Sequence, residues 1–238
     1  MQFRSTYRNL ILEDVKNELM QAKSLEVESI SFQIQKTGFS CTQCGCCCRG
    51  KYGDNRVMLL PQDILEIYKT THLSEADFSS PFIPVEVENA LNGVSETSNL
   101  LPYIDGKGNI HSFGWMLKRK KNGDCFFFES ISHKCSIYKS RPVMCQTYPF
   151  YMEKCKLYTS ECEGLGSFIS PSDSLSLARL VLNRYIQELE DLILVYQRYE
   201  HFEPVDTNIS ISLERFKKGY VFYIVHDSEG THYRCEQI

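Results

Sequence analysis

Cysteine dominates the chemistry available to this chain. There are 11, and five of them crowd into the stretch Cys41-Thr-Gln-Cys44-Gly45-Cys46-Cys47-Cys48. A C-x2-C pair puts two thiolates on one tight turn, where they converge on a single ion, and Gly45 relieves the backbone as the chain reverses. The sulfurs three and four residues beyond Cys44 reach the same ion or a neighbouring one. Disulfides fit poorly, because Cys46, Cys47 and Cys48 are contiguous and adjacent residues are bridged only with severe strain. A second group, Cys125, Cys135, Cys145, Cys155 and Cys162, follows later in the chain, and only Cys235 stands apart. One such residue among aromatics would read as a small buried hydrophobe. Five in one segment, set beside the first cluster, read as metal ligands.

The motifs occur in a specific order: C-x2-C-G-x-C-C-R at Cys41–Arg49, the segment Asp124–Phe127, C-x-I-Y-x-x-R-P-x-x-C-x-x-Y-P-F at Cys135–Phe150, and C-x-G-x-G at Cys162–Gly166. This set resembles the YkgJ-type cysteine-cluster family, a zinc- or iron-chelating domain named for its CxxCxxCC pattern. The likeness spans about residues 39–166, a little over half the chain. It implies eight metal ligands: Cys41, Cys44, Cys47, Cys48, Cys125, Cys135, Cys145 and Cys162. Cys46 falls on a variable position, Cys155 and Cys235 lie outside the pattern, and Glu163 stands where a proline often follows the last cysteine.

Eight thiolates divide into two four-sulfur sites or one shared cluster. A zinc ion held by four thiolates and an oxidised [4Fe–4S] cluster carry the same net charge, so charge does not separate them. Adjacent Cys47 and Cys48 point in different directions on an extended backbone, which suits two sites or a bulky cluster. The resemblance leans the same way, and the expected cofactor is an iron–sulfur cluster, with zinc as the alternative. Either centre needs nearby cations and N–H donors. Arg49 and Arg141 are the candidate cations, and Phe126–Phe128 with Tyr148-Pro-Phe150 the candidate apolar wall.

The elements that must position these sulfurs are less sharply marked. Leu10, Ile11, Val15, Leu19 and Met20 recur at helical spacing between Tyr7 and about Ser24. Ile30, Phe32 and Ile34 alternate with polar residues, which predicts a strand leading into the first cluster. The apolar run Val57–Leu60 precedes Pro61 and a helical pattern through Ile64, Leu65, Ile67 and Tyr68. Residues 79–112 are loop-rich, with short strands and turns expected, and Asp105-Gly-Lys-Gly-Asn109 reads as a turn. Asn122-Gly123 predicts a hairpin between Phe113–Leu117 and Cys125–Phe128, with Lys118–Lys121 as its solvated tip. A long helix is expected from about Asp173 to Tyr199, capped by Ser172 or Ser174. Alternation at Ile209–Leu213, the run Tyr220–Val225, a turn at Ser228–Thr231 and His232–Cys235 make the tail β-like. His133, two residues before Cys135, is a marginal mixed-ligand candidate. His72, His111, His201, His226 and His232 form no constellation with ligand spacing.

The composition is 42% hydrophobic and 24% charged, which excludes a disordered chain. A net charge of −4 argues against a general nucleic-acid binder. No apolar run approaches the ~20 residues of a membrane span, and the N-terminus lacks the apolar stretch of a signal peptide. A cytoplasmic, reducing location follows as the expectation. The expected class is α+β, with an irregular, metal-organised cysteine-rich core, packed helices and short β-hairpins. Its parts would be an N-terminal helix and strand (1–38), the CxxCxxCC metal-binding core (39–170), and a C-terminal helix and β-hairpin packed on it (171–238). The expected function is binding of a metal cluster, serving redox chemistry or protein modification with a protein or redox partner. Besides metal storage or delivery from an exchangeable site, two alternatives remain open. One is a structural zinc module for protein contact. The other, implied only by likeness to flagellin lysine methylases, is an S-adenosylmethionine-dependent enzyme.

Overall fold

The computed structural model describes residues 2–199 and 207–237, with side chains over 8–199 and 209–237. His201 lies outside the described residues. The class is α+β, as the sequence predicts. Helix α1 (Gln2–Lys23) is followed by α2 (Val27–Thr37), so the strand expected at Ile30–Ile34 is a helix. Ile30 and Ile34 are four residues apart and satisfy both periods. The helix buries them together with Ser31 and leaves Phe32 outside. Ser31 Oγ and Gln35 Nε2 each lie within hydrogen-bonding distance of Ser174 Oγ, at 2.9 and 2.8 Å, on the long helix introduced below.

Strand β1 (Met58–Leu59) leads into α3 (Pro61–Thr71), which starts on proline as expected. Next come α4 (Glu75–Phe78), β2 (Ser79–Pro81) and α5 (Val85–Leu91), this last a helix inside the stretch assigned to strands and turns. Strands β3 (Ile110–Phe113) and β4 (Trp115–Leu117) follow. Antiparallel β4 sits between β1 and β2. The predicted hairpin is therefore reduced to its tip: Arg119 bridges Cys125, and Lys120 N–H donates to Asp124 O at 2.7 Å. Three residues of the basic run are held by partners, while Lys121 is exposed. Arg119 pairs with Glu88 at 2.6 Å, and Lys118 and Lys120 donate to the carbonyls of Ala76 and Phe128.

The rest of the cysteine-bearing segment is built from short pieces: β5 (Phe128–Glu129), β6 (Lys134–Cys135), α6 (Val143–Thr147), β7 (Phe150–Glu153) and β8 (Lys156–Thr159). Helix α7 (Pro171–Arg198) is capped by Ser170, whose Oγ accepts the Asp173 N–H at 3.1 Å, two residues before the nearer predicted cap. The strand expected at Ile209–Leu213 is part of α8 (Thr207–Lys217). Ile209, Leu213 and Phe216 fall at i, i+4 and i+7 and pack together on the core, so alternation over five residues was again half of a helical period. Strands β9 (Tyr220–His226) and β10 (Thr231–Gln237) form the expected hairpin, and β9 also runs parallel to β3.

Two apolar clusters result. One gathers α1, α2, α7 and β7 around Ile34, Ala178, Val181 and Phe150. The other gathers β1, α3, β3, β4 and β9 around Ile67, Phe78, Leu100 and Val225. Phe39 packs against the first cluster, and Cys48 and Cys135 against the second, so the sulfur-bearing turns lie where the two meet. Among the described residues no helix is long and apolar enough to cross a membrane.

Candidate metal centre

The first cysteine run is delivered by a strap. Past Gly38, Phe39 bridges Leu165, Ser40 N–H donates to Gly164 O at 3.0 Å, and Gly166 N–H donates to Gly38 O at 3.1 Å. Gly164 is required by this approach, because a Cβ there would lie 2.1 Å from Ser40 O. The strap brings Cys41 and Cys162 to one end of the site. Gln43 (φ 55°) and Gly45 (φ 71°) then turn the chain through left-handed backbone. A Cβ on Gly45 would also meet the Phe128 ring at 2.5 Å. A single 3-10 turn, Cys47–Arg49, closes the run.

The second group is anchored from other directions. Cys125 N–H donates to Cys48 O at 2.8 Å, and Asn55 Nδ2 holds both Cys48 O (3.2 Å) and Gly123 O (2.8 Å). Cys135 is paired to Phe128 across β5–β6. Cys145 rides on α6, whose Val143 N–H donates to Asp63 Oδ1 at 2.8 Å. The other oxygen of Asp63 accepts from Leu60 N–H at the start of α3.

These supports bring the thiols from both stretches around a cleft of about 80 Å³, lined by Cys41, Cys44, Cys46, Cys47, Cys48, Cys135, Cys145 and Cys162. Seven of the eight predicted residues are among them. Cys125 does not line the cleft but lies close enough to raise the pKa of both Cys48 and Cys145. Cys46 lines the cleft although the motif leaves it variable; its contiguity with Cys47 was the available signal. Cys155 is elsewhere, against Tyr185 and Glu18 in the helical cluster, and Cys235 is exposed on β10. His133 is not among the lining residues.

The sulfurs form two neighbourhoods. Cys47, Cys48, Cys125, Cys135 and Cys145 act on one another electrostatically, whereas Cys162 and Cys46 are raised first by burial, and the thiols that add to it are Cys44 and Cys41 for Cys162 and Cys44, with Glu163, for Cys46. Cys47 is common to both, because Cys162 also senses it. Burial, followed by neighbouring thiols, raises Cys145 well above the ordinary range and takes Cys125 to about 11. The mutual influence of the adjacent Cys47 and Cys48 side chains lowers the pKa of the first and raises that of the second. All eleven thiols are free. Closely gathered thiols, several of them raised by burial and by one another, fit a divalent or iron-based centre, because a metal replaces their protons and offsets the repulsion between thiolates.

Both expected cations are present. Arg141 lines the cleft, lies over the Tyr138 ring at 4.0 Å, donates to the carbonyls of Tyr138 and Cys145, and lowers the pKa of Cys47. Arg49 Nη2 reaches Cys46 Sγ at 3.7 Å. Gly164 N–H approaches Cys162 Sγ at 3.5 Å, a backbone donor to sulfur. The apolar wall differs from expectation. Phe39, Tyr138 and Tyr148 line the cleft, Phe128 backs Gly45, and Phe127 and Phe150 belong to the two cores. Glu163, with Lys51 and Tyr52 donating to its Oε1 at 2.9 and 3.1 Å, borders Cys46, a cluster the motif does not encode.

A second polar cluster lies outside the cleft. His111 Nδ1 and His226 Nε2 are 2.8 Å apart, with Asp105 Oδ2 at 3.5 Å from His111 Nε2. The parallel pairing of β3 with β9 joins residues that sequence spacing alone keeps apart.

A family model for CxxCxxCC, the zinc- or iron-chelating domain, matches residues 40–163. No curated protein and no solved structure matches the chain.

Proposed function

Because the chain belongs to the CxxCxxCC family of zinc- or iron-chelating domains, we propose that it binds metal through Cys41, Cys44, Cys47, Cys48, Cys125, Cys135, Cys145 and Cys162, with at least one iron–sulfur cluster among its centres. The observation that carries the proposal is the convergence of free thiols from 41–48 and 135–162 on a single cleft, with Cys125 close behind it. An all-thiolate donor set selects zinc or iron–sulfur over harder or imidazole-preferring metals. The inner neighbourhood is the reason to favour a cluster. Its thiols come from four separate supports, the 3-10 turn, the Cys125 turn, β6 and α6, and so surround a volume rather than a point.

An iron–sulfur centre supplies one-electron redox chemistry. The chain's own residues would bind and tune it. Arg141 and Arg49 offset thiolate charge, the Gly164 N–H donates to the Cys162 sulfur, and Tyr148 with Phe39 restricts water. Such a centre fits a redox or protein-modification role alongside a protein or redox partner, in a reducing compartment such as the cytoplasm, where thiols stay free.

Anaerobic purification followed by iron, zinc and acid-labile sulfide analysis tests the proposal. Iron and sulfide in comparable amounts, with visible charge-transfer absorption, is the expected result. Colourless protein carrying zinc alone would replace the cluster with a structural zinc module, and protein that takes up neither metal would overturn the proposal entirely.

A further inference from the structure

Cys46 is only 4% exposed, yet its surroundings are polar on one side. Its Sγ lies 3.4 Å from Glu163 Oε1 and 3.7 Å from Arg49 Nη2. The ligand atoms of Cys44, Cys46 and Glu163 all lie within 4.8 Å of one another. Around a tetrahedral ion with metal–sulfur bonds of about 2.3 Å, neighbouring ligand atoms are about 3.7 Å apart. The three donors are therefore within about 1 Å of a shared coordination shell.

We infer that Cys44, Cys46 and Glu163 form an auxiliary sulfur–oxygen site at the rim of the cleft for one divalent, zinc-like ion, with its fourth position open to water or an incoming ligand. The inference rests on the proposed metal-binding reading and extends it to two residues outside the eight thiols. A mixed thiolate–carboxylate set suits a borderline-soft ion. Two thiolates and one carboxylate overcompensate a divalent charge by one, and the Lys51 ammonium and Arg49 guanidinium stand beside them to offset the excess. Lys51 and Tyr52 hold the carboxylate in place over the sulfurs without the ion. On loading, two S–H bonds break and two metal–sulfur bonds form. Both protons pass to solvent, and nothing is oxidised or reduced.

Half-exposed Glu163 and the open position make this ion exchangeable, in contrast to one enclosed by thiolates. The test is titration of the full chain, purified anaerobically, with zinc alone against a chromophoric chelator. The proteins compared are the unsubstituted chain, Cys46→Ser, Glu163→Gln and the control Cys155→Ser. Cys46→Ser and Glu163→Gln are each expected to lose one zinc equivalent, or to weaken the most labile class at least about tenfold. Any visible absorption from the remaining thiols should be unchanged, and Cys155→Ser should match the unsubstituted chain. Equal stoichiometry and affinity in all four proteins would overturn this inference and leave the eight-thiol reading intact. Absence of metal from the unsubstituted chain would instead overturn that reading, and this site with it. Should Cys46→Ser fail to fold, Glu163→Gln decides alone, since its side chain lies at the surface.

Discussion

The helical cluster and the cysteine cleft are ordered by different forces. In the first, α1, α2 and α7 bury Ala22, Ile34 and Ala178 completely, and exclusion of water from apolar surface accounts for the packing. The first cysteine run has one 3-10 turn, left-handed residues at Gln43, Gly45, Gly50 and Gly53, and exposed side chains at Cys41 and Cys47. A few hydrogen bonds, such as Cys125 N–H to Cys48 O, attach it to the rest. On the proposed metal-binding reading, a region with so little regular structure would draw stability from the metal it holds, and binding energy there would be folding energy. On that reading, the contrast would separate a metal-indifferent framework from a metal-dependent insert.

The largest effect should come from Cys145→Ser, which removes a thiol from the inner neighbourhood. Metal content should fall sharply, and hydrogen exchange should speed up across 41–56 and 125–147 while α2 and α7 stay protected. Uniform deprotection of all helices would break the proposed division. Next comes Ile34→Ala, a cavity in the helical cluster that should cost about 2–5 kcal/mol in denaturant unfolding. That loss should be equal with and without metal, and a metal-dependent loss would mean the two regions are coupled.

Gly45→Ala combines a strained φ with a clash against Phe128 and should destabilise by about 1–3 kcal/mol, with weaker metal uptake measured in parallel. Acid should act outside the cleft. Burial, followed by the neighbouring His111, lowers His226 from the ordinary 6.5 to about 4. The unfolded chain binds the proton more readily, so this stability is present above pH 6.5 and is lost as pH falls toward 4. His226→Gln should flatten the thermal-midpoint profile in that window, whereas an unchanged profile would exonerate the histidine pair. The smallest effect should be Cys235→Ala, within about 0.5 kcal/mol and with full metal content, because the residue is exposed on β10.

What could be read from the sequence follows the same division. Metal-binding motifs depend on short spacing, so the thiols of Cys41–Cys48 were visible from the residues alone, whereas Cys135, Cys145 and Cys162 were assigned through the family resemblance. The amphipathic α7 was visible as well, because its apolar face repeats over many turns. Five-residue windows were not. Ile30–Ile34 and Ile209–Leu213 alternate, yet each also satisfies an i, i+4 pattern, and packing against α7 or the second core selects the helix. Contacts made by long-range pairing were equally hidden. Glu163 reaches Cys46 only because of the strap, and His111 meets His226 only because β9 joins β3 in parallel. The basic run at Lys118–Lys121 looked like a free tip because its acceptors, Glu88 and two backbone carbonyls, are supplied by folding.

The strap from Gly38–Ser40 to Gly164–Gly166 joins segments more than a hundred residues apart. During synthesis, Cys41–Cys48 must leave the ribosome long before the partner segment exists. Throughout that interval Cys162 and the strap residues are not there to join them. The last glycines of the motif therefore set the earliest moment at which the strap can form and Cys162 can meet Cys41 and Cys44.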